Sequence, residues 1–154
     1  MSAHRLARSG AGFAVAGLLA TLAAAAPAVN AKGGPPRSVF LTLPAEIREP
    51  EVALSVTPRP DGRWRIRIDT EGFTFSNLCL SEAEAIPVGH AHVIVDGVKV
   101  ASAYDPIVEV GPFPAGLHDL TVVLRGQDHR ALLGRHGLIK TEAVLEVTEG
   151  NVAG

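Results

Sequence analysis

Hydrophobic and polar residues alternate with a period of two along most of the chain beyond residue 38. Trp64, Ile66 and Ile68, for example, are each separated by an arginine. Because successive side chains of a β-strand point to opposite faces, this pattern predicts strands with one buried and one exposed face. The same alternation is found in residues 51–56, 90–95, 118–124 and 141–147.

Turn residues separate these segments at close spacing. Asp61-Gly62 and Asp96-Gly97 are Asp-Gly pairs of the kind that joins two hairpin strands. Residues 81–86 are the one stretch that could form a helical turn, and residues 126–137 are predicted to be a polar loop. About seven to nine strands without a long amphipathic helix predict an all-β domain at residues 38–150, folded as a two-sheet antiparallel immunoglobulin-like sandwich.

The N-terminal 31 residues have the three-part layout of a secretory signal peptide. Its first part contains two arginines and no acidic residue, and residues 11–26 are mostly apolar. Small residues then precede a cleavage site after Ala31. The apolar run is shorter than the roughly 20 residues that a membrane-spanning helix needs. We therefore expect cleavage after Ala31, with Ala28 as the second choice. Residues 1–31 are then the signal peptide, residues 32–37 a disordered leader, and the remainder a periplasmic or secreted domain without a membrane span.

Charge and cysteine content narrow the range of partners. Without the two signal arginines the chain holds 12 basic and 16 acidic residues, a formal net charge of −4. Binding to nucleic acid or to anionic lipid is therefore not expected. Cys79 is the only cysteine, which excludes an internal disulfide. Its neighbours Leu78 and Leu80 predict a buried, unreactive thiol rather than a ligand.

A pair of histidines on one predicted strand is the strongest chemical signal. His90 and His92 are two residues apart, so they share one face of the strand, with Cα atoms roughly 6.5 Å apart. Both imidazoles can therefore reach one metal ion. His129 is the best third ligand, and its neighbour Asp128 could add an oxygen or orient an imidazole. The plainer alternative is a pair of surface histidines without a ligand.

The two other histidines of the mature chain are expected to have no ligand. His118 lies on the same predicted face as three core residues, so a partly buried, hydrogen-bonded side chain is expected there. His136 lies in a polar segment between Arg135 and Gly137 and is expected to be solvated.

The available ligand types limit the metal. Met1 is the only methionine and would leave with the signal peptide, so a thioether Cu(I) site is excluded. Imidazole nitrogen together with carboxylate oxygen suits Cu(II) or Zn(II). Copper is the first choice in an oxidising compartment, and zinc is the second.

Several short motifs invite comparison with a known family. In chain order they are Gly89-His90-Ala91-His92, Asp96-Gly97, Tyr104-Asp105-Pro106, Gly116-Leu117-His118 and Asp128-His129. They resemble a little-characterised family of small secreted bacterial β-sandwich proteins with a G-H-x-H…D-G…Y-x-P…G-x-H…D-H pattern. The resemblance spans about residues 50–148 and implies an exported, metal-associated protein with a role in copper handling.

The chain departs from that family pattern at three positions. Ile107, Glu109 and Gln127 stand where the family has tryptophan, histidine and asparagine. If the missing histidine is a ligand in relatives, the resemblance implies that Glu109 replaces it as an oxygen donor. Equally, the chain could have lost the metal.

Three functions remain open at this point. The leading one is a periplasmic protein that holds copper or zinc through His90, His92 and His129, with Glu109 or Asp128 near, and that sequesters or delivers the ion. The alternative is a metal-free immunoglobulin-like interaction module that binds another protein of the cell envelope. An enzyme is not expected, because the sequence has no G-x-S-x-G nucleophile segment and Cys79 has no neighbouring base.

Overall fold

Alternating side chains form β-strands throughout the part of the chain that the structure describes. This computed structural model describes residues 38–81 and 86–149. The signal peptide and leader predicted for residues 1–37 lie outside the described residues, as does most of the helical turn expected at residues 81–86.

The described residues form eleven strands and contain no α-helix. The strands are β1 (Phe40–Thr42), β2 (Glu51–Pro58), β3 (Trp64–Glu71), β4 (Thr74–Phe75), β5 (Val88–Val95), β6 (Val98–Ala103), β7 (Ile107–Val110), β8 (Gly116–Gly126), β9 (Ala131–Gly134), β10 (Gly137–Leu138) and β11 (Lys140–Val147). Within the described ranges, no helix has the length and apolarity that crossing a bilayer would require.

The strands form two sheets. The larger sheet has eight strands in the order β1-β9-β8-β5-β4, with β10 beside β9, β11 beside β8 and β6 beside β5. The smaller sheet has the order β2-β3-β7. Strand β5 is paired on both sides, with β8 along one side and with β4 and β6 along the other. The most informative segment of the sequence is therefore a central strand, and not the sheet edge that an interaction module would use.

The larger sheet is mixed, so the expectation of two purely antiparallel sheets is wrong. Strand β1 pairs in parallel with β9, and β4 pairs in parallel with β5. The alternation of side chains along a strand is the same whatever the direction of its neighbour. The sequence pattern therefore predicted strands without predicting how these short ones pair.

The prediction of a polar loop at residues 126–137 is also wrong, because this range contains β9 and the first residue of β10. Ala131 and Leu132 are 3% and 0% exposed. A strand of four residues flanked by polar ones is too short to show a period. Its pairing with β1 and its burial, rather than its local sequence, make it a strand.

The two sheets share one hydrophobic core. The smaller sheet contributes Trp64, Ile66 and Ile68, as their alternation predicted, and the larger sheet contributes the alternate residues of β5, β8 and β11. Ile66, Val93, Val122, Leu124 and Leu145 are fully buried, namely 0% exposed. Each such side chain contributes about 1.5–3 kcal/mol relative to an exposed one. This core holds β5 and β8 in place, and these two strands carry the site.

Candidate metal centre

The two histidines of β5 lie on its outer face. Ala91, Val93 and Val95 fill the core face of the strand and are 0–3% exposed, as expected. The intervening residues therefore point away from the core. The Asp96-Gly97 turn that follows has positive φ at both residues (50° and 78°). These angles fit the tight hairpin that the sequence predicted between β5 and β6.

The outer face is covered at this end of the sheet. His90 is 0% exposed, and His92 is half-buried. The segment after β4 and the loop after β8 are joined by a hydrogen bond from the Leu80 N–H to the Gln127 carbonyl (2.9 Å). The plainer expectation of two surface histidines therefore does not hold for His90.

Gly89 allows β5 and β8 to approach closely beside the histidines. A Cβ atom at this position would lie 1.9 Å from the carbonyl oxygen of Arg125. Gly89 is paired with Gly126, so two glycines face each other where the strands meet. The loop that carries His129 starts directly after this pair and is thereby kept close to His90.

Three imidazoles converge at this point. The Nε2 atoms of His90 and His92 are 3.3 Å apart. One ligand atom from each of His90, His92 and His129 lies within 4.8 Å of the other two. The ring centroid of His90 is 5.2 Å from that of His92 and 4.6 Å from that of His129. The structure thus brings together the three histidines that the sequence analysis selected.

The distance between the two Nε2 atoms fits a shared metal ion. Two nitrogens at about 2.0–2.1 Å from a tetrahedral ion are separated by about 3.3–3.4 Å. His90 and His92 have this separation already. The third ring, His129, is exposed in a loop, and its ligand atom lies within 4.8 Å of the other two.

Both histidines of β5 are held in the neutral form that a metal requires. Burial, followed by the charges of His129, Arg125 and Lys99, lowers the pKa of His90 to about 4. Burial also lowers the pKa of His92 to about 3, again helped by Arg125 and Lys99. The lone pairs of these rings are therefore free of protons at neutral pH, and they are suitable for coordination.

Hydrogen bonds to the backbone fix the loop of His129. The residue has a φ of 65°, a left-handed conformation that histidine adopts more readily than most side chains. Its N–H donates to the Gly126 carbonyl (3.0 Å). Its own carbonyl accepts a hydrogen bond from Nη1 of Arg125 (2.6 Å). These bonds orient His129 towards the pair on β5.

Tyr104 lies beside His90, and Cys79 lies beside Tyr104. The Tyr104 ring is 5.1 Å from the His90 ring, and its hydroxyl is 4.0 Å from the Cys79 sulfur. Cys79 is exposed, so the expectation of a buried thiol is wrong. Its apolar neighbour Leu78 is itself 55% exposed, which explains why the local sequence misled. Cys79 is not part of the group of close ligand atoms.

The carboxylates considered from the sequence lie outside that group. Glu109 is on β7 in the smaller sheet, and its Oε1 accepts hydrogen bonds from Arg65 (2.8 Å) and lies 3.7 Å from Arg59. Asp128 is buried and accepts a hydrogen bond from Nε of Arg130 (2.6 Å). A carboxylate oxygen of Glu109 and one of Asp128 therefore each accept a hydrogen bond from an arginine. The described residues bring together nitrogen ligands only.

The remaining histidines are placed as expected. His118 is hydrogen-bonded through both ring nitrogens, to Asp96 (2.7 Å) and to the Pro114 carbonyl (2.8 Å), and its side chain is 12% exposed. His136 is exposed. Neither belongs to the metal-ligand group.

Sequence reasoning missed Arg125 as a part of this site. Its position follows from the register of β5 and β8, which places Arg125 opposite His90 and on the same face. The alternation in β8 does place Arg125 on the outer face of that strand. Without knowledge of the pairing, however, nothing connected it to the histidines.

Comparisons with protein-family models, with curated proteins and with solved structures found no match to this chain.

Proposed function

We propose that this chain is an exported metal-binding protein that holds one divalent ion, Cu(II) or Zn(II), through His90, His92 and His129. The observation that supports this proposal most is the 3.3 Å separation of the His90 and His92 Nε2 atoms, with a third histidine within reach. Imidazole ligands favour these two metals over calcium or magnesium. Copper is our first choice because of the sequence resemblance and the oxidising compartment.

The role proposed for the bound ion is sequestration or delivery. Two ligands come from a central strand fixed by the core, and the third comes from an exposed loop. Such a division allows the ion to enter and leave at the loop side while His90 and His92 stay in place. Export rests on the N-terminal sequence, and an immunoglobulin-like arrangement of the two sheets completes the proposal.

Equilibrium dialysis of the purified protein against Cu(II) or Zn(II) tests this function. The expected result is retention of one equivalent. His92→Ala and His129→Ala should each weaken binding by more than about tenfold, since even the outer partners of a metal ligand are worth about 10–100-fold. His136→Ala is the matched control, because it removes an exposed histidine outside the group and should leave the affinity unchanged.

The metal-free alternative makes the opposite prediction. In a protein without metal, the 3.3 Å contact is a hydrogen bond in which one neutral imidazole donates to the other. Wild-type protein that retains no ion, or equal retention by wild type, His92→Ala and His129→Ala, would favour this alternative.

A further inference from the structure

Two cationic side chains flank the three histidines. Arg125 on β8 is the cross-strand partner of His90. Lys99 on β6 hydrogen-bonds to Ser102 (3.4 Å), and Ser102 is the cross-strand partner of His92. Directly paired residues share a face of the sheet, so Arg125 and Ser102 lie beside the imidazoles on the outer face, and the bond to Ser102 brings the Lys99 ammonium to the same face. Their charges contribute to the lowered pKa values of His90 and His92.

The guanidinium of Arg125 is only partly satisfied. Its Nη1 donates to the His129 carbonyl (2.6 Å), while its Nε is buried without a hydrogen-bond partner among the described residues. Part of its side chain is buried, and the described residues provide no carboxylate partner for it. A desolvated cation without a negative partner is costly. The guanidinium therefore has hydrogen-bonding capacity that the described residues leave unused.

A divalent ion would increase the excess of positive charge. Three neutral imidazoles leave its two positive charges in place, and Arg125 and Lys99 lie close by. Three protein ligands also leave one position of a tetrahedral ion open. A monoanion in that position would offset part of the positive charge of both the metal ion and the arginine. The planar fork of a guanidinium matches the two oxygens of a carboxylate.

We infer that the site binds a small free carboxylate-type anion together with the metal ion, and that Arg125 holds this anion. The inference rests on the metal-binding function proposed above. We take formate, acetate or bicarbonate as the anion, because His90 and the Nε of Arg125 are both buried and a small ligand needs the least room beside them. Metal and anion then bind with positive coupling, and each raises the affinity of the site for the other.

The test is the Zn(II) affinity of the purified protein, measured by competition with a chelator with and without acetate. Wild type should bind Zn(II) about tenfold more tightly when acetate is present, which is within the range of about 5–150-fold that is typical of coupled sites. In Arg125→Met the ratio of the two affinities should fall towards one. Its affinity without acetate reflects both the loss of a repelling charge and the loss of the hydrogen bond to the His129 carbonyl, so the ratio of the two affinities is the readout.

Two further variants distinguish charge, geometry and folding. Arg67→Met is the matched control: Arg67 pairs with Asp69 on the smaller sheet, and its loss should leave the acetate effect unchanged. Arg125→Lys keeps the charge without the fork, so it should retain folding and show a smaller acetate effect than wild type. If Arg125→Met does not fold, the acetate effect in Arg125→Lys tests the role of Arg125.

The outcomes separate this inference from the function on which it rests. Zn(II) binding by wild type with equal affinity in both conditions would overturn the anion and leave the metal function standing. An undiminished acetate effect in Arg125→Met or in Arg125→Lys would overturn the role of Arg125. Absence of Zn(II) binding under all conditions would overturn the metal function itself.

Discussion

The surroundings of the described histidines shift their pKa values in opposite directions. His90 and His92 lie among other imidazoles and cations in a covered site, so their pKa values fall and they stay neutral. The side-chain hydrogen bond to Asp96, and then the bond to the Pro114 carbonyl, raise the pKa of His118. Both acceptors favour a doubly protonated ring. The sequence indicated which histidines shared a strand face, but it could not indicate their charge.

His118 and Asp96 should stabilise the fold within a limited pH window. The raised pKa of His118 means that its contribution is fully present below about pH 6.5, its ordinary pKa, and is lost as pH rises through the folded value. Asp96, whose pKa is lowered by His118 and by the Asp119 N–H, contributes above its ordinary value and loses that contribution under acid. We expect His118→Gln to reduce the free energy of unfolding more near pH 6 than near pH 9.

Urea unfolding at several pH values measures this window. NMR titration of the His118 ring should give a pKa above its ordinary value, and Asp96→Asn should lower that pKa. A stability difference between wild type and His118→Gln that grows as pH rises would contradict the assignment.

At the level of elements, the longer strands were predictable and the shorter ones were not. The alternation of Trp64, Ile66 and Ile68 is long enough to show a period, and the structure buries these residues as predicted. The two-residue β4 and the four-residue β9 are too short for such a pattern. Residues that are distant in the sequence determine how these strands pair. For the same reason, the parallel pairs could not be predicted from the sequence.

Leu132 tests whether β9 is a core strand or a loop. It is 0% exposed, so Leu132→Ala should reduce the free energy of unfolding by about 2–5 kcal/mol. Leu117→Ala is the matched control, because Leu117 is 71% exposed and its loss should change stability by no more than about 0.5 kcal/mol. Equal midpoints of chemical unfolding for the two variants would show that β9 does not contribute to the core.

At the level of the whole molecule, the site depends on the meeting of β5 with the loop after β8. His90 and His92 could be paired from the sequence because their relation is local. His129 could be proposed from its position after a strand, and the structure brings it to the pair. Arg125 could be connected to the site only through the register of two strands that are distant in sequence. Glu109 was predicted to lie near the site, but its carboxylate lies with arginines of the smaller sheet.

X-ray absorption spectroscopy of the protein loaded with one equivalent of Zn(II) tests the three-histidine site most directly. We expect a first shell at about 2.0–2.1 Å with the scattering pattern of three imidazoles. His129→Ala should reduce the number of imidazoles to two, and His136→Ala should leave it at three. A first shell of wild type that contains one imidazole or none would contradict the account.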